Sequence, residues 1–238
     1  MIDLFNDYVL QREELLARIA QELQLNRTRI EKMESAYNAV SELLKKDEDF
    51  FDGLVIEIYA QGSKRTETTV KPINDEDFDL DTVLHIYDPY YNHSPGEIYN
   101  ALVKALEKDP YYKEIMEKKT RCVRLNYKGD FHMDILPACM PDTFDREMIR
   151  IPEKALKDWS SGNPKGFAKW FLDIAKSVKD PLLLRYAEVL LKAQVETEPL
   201  PEGLYEKTPL QRAVQLMKRY RDIYFKNRDY RVSSISNP

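Results

Sequence analysis

Asp79 and Asp81 stand two residues apart in Phe78-Asp79-Leu80-Asp81-Thr82-Val83-Leu84. On an extended strand that spacing projects both carboxylates from one face, a few ångströms apart. Two like charges that close repel unless a cation sits between them. Phe78, Leu80 and Leu84 are core-type neighbours, so a solvated surface is a poor home for the pair. A third acid, Asp134, lies in Phe131-His132-Met133-Asp134-Ile135-Leu136-Pro137, again inside an apolar strand pattern where an uncompensated carboxylate is costly. Three acids on two strands suit two hard divalent cations, Mg²⁺ or Mn²⁺, which prefer carboxylates, water and substrate phosphates. That is the donor set of a two-metal phosphoryl- or nucleotidyl-transfer site, with Asp134 placed to accept a proton from an attacking hydroxyl. The competing reading makes Asp79 and Asp81 a salt-bridged or edge-strand pair and Asp134 a hydrogen-bonded structural acid. Asp77 also sits two residues from Asp79, but it follows the polar Ile73-Asn74-Asp75-Glu76 at the start of the strand, which favours Asp79 with Asp81.

Gln61-Gly62-Ser63-Lys64-Arg65 precedes the acid pair. A glycine there lets backbone approach a ligand, consecutive N–H groups with the Ser63 hydroxyl can cradle phosphate, and Lys64 or Arg65 adds positive charge. Alone this is an ordinary turn; its place one strand upstream of the acids favours the ligand reading. His85, His132 and His93 read as packing or hydrogen-bonding residues. Between Lys207 and Arg231, eight basic residues (Lys207, Arg212, Lys218, Arg219, Arg221, Lys226, Arg228, Arg231) face two acids, a local charge of +6. This is either a solvated helix face or a counter-charge for a triphosphate or nucleic acid.

The elements that must position these residues follow from periodicity. Asp7 to Lys46 carries apolar residues at helical spacing and predicts two helices broken near Leu25 to Arg27. Leu54 to Ala60 predicts a buried strand ending in a tight turn at Gln61-Gly62-Ser63, and a second strand runs from about Asp77 to Tyr87. Ser94-Pro95-Gly96-Glu97 is a capping box that opens a helix to about Lys108. Arg121–Tyr127 and Asp130–Leu136 form a hairpin across Lys128-Gly129, with His132, Asp134 and Leu136 on one face. Beyond about Pro152 the pattern is helical, with starts at Asn163-Pro164 and at the capping box Thr208-Pro209-Leu210-Gln211. Glu196 to Glu206, with Pro199, Pro201 and Gly203, is the most linker-like stretch. The order helices, mixed sheet, helices argues α+β. It divides into a helical segment over 1–50, a mixed sheet over 51–160 and a helical segment over 161–238.

Composition sets the outer bounds. The 238 residues carry 36 basic and 41 acidic side chains, a formal charge of −5, which excludes a globally basic nucleic-acid coat. The two cysteines, Cys122 and Cys139, lie in apolar runs and read as reduced, buried thiols, too few for a cysteine zinc site. The first residues lack a signal-peptide pattern and no apolar run approaches about 20 residues, so a cytoplasmic protein without a membrane partner is expected.

Taken together, Gln61-Gly62-Ser63, Thr68, Pro72, Asp77 to Asp81 and Phe131 to Ala138 resemble the signature of the bacterial cGAS/DncV-like nucleotidyltransferases (CD-NTases), in the DNA polymerase β nucleotidyltransferase superfamily. Arg121 to Tyr127, Asn163 to Phe167 and Thr208 to Arg219 resemble the same family, so the likeness covers roughly Tyr59 to the end. It implies a polymerase-β-like sheet and the synthesis of a cyclic di- or trinucleotide from NTPs, ATP among them, as a second messenger in CBASS anti-phage defence. It further implies two Mg²⁺ (or Mn²⁺) ions on Asp79, Asp81 and Asp134, donor-nucleotide contacts from Gln61 and Ser63, and triphosphate contacts from Lys218 and Ser233. An activating sensor protein or nucleic acid and a downstream effector are implied as partners. Family members continue with further helices past a segment like Ser233-Ser234-Ile235, so the helical lobe is expected to be incomplete at Pro238. The alternatives are nucleotidyl transfer to RNA, protein or a small molecule, and a non-catalytic nucleotide-binding regulator. Base preference, linkage, ring size, activating signal and oligomeric state are not legible.

Overall fold

The two N-terminal helices part where a cap is available. In the computed structural model, which describes residues 2–73, 77–142, 144, 147–153, 157–179 and 207–226, α1 spans Ile2–Glu22 and α2 spans Arg27–Lys45. The Asn26 side chain accepts the Arg29 N–H at 2.8 Å, satisfying one of the donors a helix start leaves open. A strand, β1 (Ile56–Ala60), leads into a single helical turn, α3 (Gly62–Arg65), where the sequence predicts only a tight turn. Strand β2 (Phe78–Pro89) follows, then a 3₁₀ turn at Tyr90–Asn92 and α4 (Pro95–Glu107). Helix α4 is opened by the predicted capping box, with Ser94 and Glu97 each accepting from the other's backbone. Next come α5 (Pro110–Ile115), β3 (Met116–Lys118), β4 (Val123–Tyr127), β5 (Phe131–Met140), β6 (Ile149–Glu153), β7 (Asp158–Gly162), α6 (Pro164–Ser177) and α7 (Pro209–Phe225).

The seven strands form one sheet in the order β1-β2-β5-β4-β3, with β6 pairing β5 and β7. Only β2 and β5 run parallel; the other pairs are antiparallel. Strand β5 runs through Pro137, past the predicted end at Leu136. Its pairing with β4 stops at Ile135 and that with β6 is at Cys139, so the residue without an N–H falls in the gap between them. The hairpin β6–β7 is a correction to the helical reading after Pro152. Asp158-Trp159-Ser160-Ser161-Gly162 has little intrinsic strand character and is held by its pairing with Ile149–Glu153.

The described residues divide into two compact units that do not follow the three consecutive stretches read from the sequence. One comprises Asn26–Arg65 and Pro72–Lys169 and contains the whole sheet. Its core includes Ile98, Leu102 and Leu106 of α4, which packs on β5 and β6, together with Leu84, Ile86, Leu125 and Ile135 of the strands, all fully buried. Each such side chain contributes about 1.5–3 kcal/mol by leaving water.

The other unit gathers Met1–Leu25, Thr66–Lys71 and the described residues from Trp170 onward. There α7 holds the 66–71 segment by hydrogen bonds. Gln211 donates to the Thr66 carbonyl at 3.1 Å, Gln215 to that of Thr69 at 2.8 Å and Lys218 to that of Thr68 at 3.1 Å. Gln215 also pairs with Gln24 at the end of α1, at 2.9 Å. Within the basic cluster, Lys207 pairs with Glu67 at 3.2 Å, Arg219 donates to the Lys71 carbonyl and Arg221 pairs with Asp222. Arg228, Arg231, Ser233 and the linker-like 196–206 stretch lie outside the described residues. Cys139 is buried as expected, whereas Cys122 is only half-buried. Among the described residues no helix is long and apolar enough to cross a membrane.

His85, on β2, is fully buried with neither ring nitrogen hydrogen-bonded, so it serves packing alone, its ring 4.3 Å from that of Tyr87. Burial, with help from the Lys165 cation, lowers its pKa to about 4. The unfolded chain takes up this proton near pH 6.5 and the folded chain only near 4, so stability is expected to fall as pH drops through that window, by up to about 3 kcal/mol. Urea unfolding at pH 7 and pH 4.5 checks this: His85→Phe should lose less stability between the two than the parent does.

Candidate active site

Strand pairing brings three charged residues into one row. Asp81 of β2 lies opposite Asp134 of β5, and Asp134 lies opposite Arg124 of β4. Residues directly opposite in paired strands share a face, so the row runs Asp81, Asp134, Arg124 across three adjacent strands. The next row towards the start of β2 is Asp79, His132 and Asn126. The parallel β2–β5 pairing thus supplies the juxtaposition that the sequence anticipates for Asp79, Asp81 and Asp134.

Arg124 was not anticipated. Its Nε and one terminal nitrogen donate to the two oxygens of Asp134 at 2.7 and 2.8 Å, and that terminal nitrogen also donates to Asp79 at 3.2 Å. The hydrogen bonds to Asp134 and the negative charges of Asp134 and Asp79 drive its pKa further upward, so it is a permanent cation. The salt-bridged reading of Asp79 and the hydrogen-bonded reading of Asp134 are therefore both realised, with Arg124 as partner. As they stand, no three His, Cys, Asp or Glu side chains among the described residues converge as a metal site. His132 does more than pack: its Nε2 lies 3.3 Å from Asp77 and its Nδ1 3.6 Å from Asp79. Asp77 consequently flanks the row rather than replacing Asp81 in it.

Gly62 abuts the acids. Its φ is +56°, and a Cβ built there would stand 2.7 Å from Oδ2 of Asp81. The Gln61 N–H donates to the Asp81 carbonyl at 2.9 Å, tying the turn to the same residue. Backbone and carboxylate meet with no room for a side chain, a cradle that keeps Asp81 in place. Ser63 follows on α3. Lys64 and Arg65 turn towards α2: they line a cavity of about 460 Å³ with Met33, Tyr37, Tyr59 and Leu80. Lys64 lies 3.9 Å from Glu34, and the Arg65 guanidinium lies 5.4 Å over the Tyr59 ring and bonds the Ala60 carbonyl at 3.4 Å. Lys218 belongs to the other unit and bonds Thr68 there.

A further polar group on the sheet was missed in the sequence. Lys165 of α6 pairs with Glu57 of β1 at 2.6 Å and Tyr87 donates to the same carboxylate. Burial alone would raise the pKa of Glu57, but these two hydrogen bonds and the Lys165 charge hold it below its ordinary value. A pattern of Glu57 and Tyr59 on one strand face was the available signal; the partner, more than a hundred residues away, was not.

The fold matches those of solved nucleotidyltransferases. The CD-NTase CdnG of Bradyrhizobium diazoefficiens, solved in complex with GTP, superposes with a TM-score of 0.69 at 25% identity, covering 93% of this chain and 67% of that one. Escherichia coli DncV in its 3′-deoxy GTP bound form gives 0.56 at 15% identity, over 86% and 75% of the two chains. Residues 11–174 match the Second Messenger Oligonucleotide or Dinucleotide Synthetase (SMODS) domain, and the chain belongs to this family of polymerase-β-like CD-NTases. It is 44% identical to the c-di-GMP synthase of Roseivirga ehrenbergii over 216 residues, 90% of this chain and 55% of that protein. It is 27% identical to the cyclic dinucleotide synthase CdnG of B. diazoefficiens, over 92% and 55%. The chain thus spans little more than half the length of these relatives.

Gly62 gives a direct test of the cradle. Gly62→Ala meets both the strain of a positive φ and the Asp81 oxygen, whereas Gly53→Ala meets only the strain, since nothing lies within 4 Å of a Cβ there. In chemical denaturation Gly53→Ala is expected to cost about 1 kcal/mol and Gly62→Ala clearly more, about 2–3 kcal/mol.

Proposed function

We propose that this chain is the catalytic portion of a metal-dependent nucleotidyltransferase that joins NTPs into a cyclic dinucleotide. The observation that carries the reading is the side-by-side placement of Asp81 and Asp134 on the parallel strands β2 and β5, with Gly62 packed on the Asp81 carboxylate. The donor set fits the cations that such chemistry uses, because all three acids offer hard oxygen ligands on one sheet face. Asp79, Asp81 and Asp134 would hold two Mg²⁺ or Mn²⁺ ions, which when bound supply positive charge for the triphosphate and acidify the attacking hydroxyl.

The chain's own residues orient the reactants. Gly62 lets the α3 turn approach closely, so that backbone N–H groups and the Ser63 hydroxyl meet the donor phosphates beside the acids. Asp134 takes the proton of the attacking ribose hydroxyl once its oxygens are available. Pyrophosphate is the leaving group, and the gain comes from position and charge complementarity. The relatives named as c-di-GMP synthase and the GTP complex of CdnG favour GTP among the substrates; ATP, expected from the resemblance, is its competitor. A CBASS role, with an activating sensor and an effector that reads the product, belongs to the same proposal.

The test is incubation of the purified chain with each α-labelled NTP and Mg²⁺ or Mn²⁺, followed by phosphatase digestion and mass spectrometry. A phosphatase-resistant cyclic product is expected, reduced at least about 100-fold in Asp79→Asn and in Asp81→Asn while each variant stays folded. Label retained on RNA or protein would assign transfer to another acceptor instead. Product formation undiminished in both variants would remove the acids from catalysis.

A further inference from the structure

The position of Arg124 demands an account. One guanidinium occupies the space between Asp79 and Asp134, holding both oxygens of Asp134 through a two-nitrogen fork and one oxygen of Asp79 through a single longer bond. The fork is sheltered, with the Arg124 and Asp134 side chains 23% and 18% exposed, while Asp79 is 59% exposed. Without that cation, Asp79 and Asp134 would lose the guanidinium they share, in a setting that screens their charges poorly.

We propose that Arg124 is a resident counter-ion that stands where a divalent cation is shared by Asp79 and Asp134, and that gives up these carboxylates when the cation binds. This rests on the reading of the three acids as cation ligands. Arg124 is then a positioning residue that sets the divalent-ion affinity of the site and keeps the acids from driving β2 and β5 apart before the ion arrives. Three features of the geometry support it. Asp134 has both oxygens on one fork, so the edge of the carboxylate that faces Asp79 cannot serve two cations at once. The Asp79 contact is single, longer than the other two and the more exposed. One guanidinium charge against the two carboxylates it bridges, Asp79 and Asp134, leaves that pair attractive to an ion of charge two. The rival account makes Arg124 a permanent tie that orients Asp134 for the metal. The two accounts differ in sign, since removing a competitor tightens metal binding and removing an orienting group weakens it.

Mn²⁺ binding by isothermal titration calorimetry, together with melting temperatures in EDTA and in saturating Mn²⁺, decides between them for the parent, Arg124→Gln, Arg124→Lys and Asp79→Asn. Arg124→Gln is expected to bind Mn²⁺ about tenfold more tightly, to melt below the parent in EDTA and to recover in Mn²⁺. Arg124→Lys, which keeps the charge without the fork, should fall between the two in affinity. If Arg124→Gln does not fold, Arg124→Lys carries the comparison. Equal or weaker Mn²⁺ binding in the folded variant would overturn the proposal while leaving the metal reading intact. If Asp79→Asn binds Mn²⁺ as well as the parent, the metal reading of Asp79 fails, and the proposal with it.

Discussion

Repulsion among carboxylates gathered on one sheet face is the constraint on which the rest of the structure depends. The parallel pairing of β2 with β5 places Asp81 beside Asp134, and the pleat carries Asp79 onto the same face. Such a sheet is stable only if the charge is met locally, because core burial on its opposite face holds the strands in register and prevents the acids from separating. Arg124 from β4 meets it in this structure, and divalent ions meet it in the proposed function. Stability and chemistry thus draw on the same few ångströms of sheet.

The surroundings of the row fit that view. His132 lies between Asp77 and Asp79, so Asp79, the most exposed of the three acids, has a polar neighbour at the same oxygen that Arg124 meets. Gly62 closes the other side by bringing backbone against Asp81. Farther along, Lys165 and Glu57 neutralise each other beneath Tyr87, which spares the sheet a second unbalanced charge. In the other unit, Lys207 pairs with Glu67, and Lys218 and Arg219 of α7 bond the Thr68 and Lys71 carbonyls.

Much of the fold was legible because its signals are local. Asn26, the Ser94–Glu97 box and the Thr208–Gln211 box satisfy open helix donors within a single turn, so helix starts could be read residue by residue. The alternation of apolar and polar residues in β2 and β5 fixed which face carried the acids, since a period of two admits no other arrangement. The β6–β7 hairpin escaped because Asp158 to Gly162 acquires its strand form from its neighbour and not from its own residues.

At the site the division is similar. Sequence determined that Asp79 and Asp81 share a face, that Asp134 sits in an apolar strand and that a glycine precedes them. Arg124 was not within reach: the two-residue turn Lys128-Gly129 read from the sequence would pair Tyr127 with Asp130 and set Arg124 opposite Met133, whereas the structure turns over three residues, pairs Tyr127 with Phe131 and so brings Arg124 opposite Asp134. What only the tertiary structure decided is the register of β2 against β5, which aligns residues more than fifty positions apart. It likewise decided the meeting of Gly62 with the Asp81 carboxylate and the pairing of Lys165 with Glu57. Parallel strands joined through a long crossover carry no turn to count from, so their register comes from burying two apolar faces together, a property of the packed sheet and not of either strand.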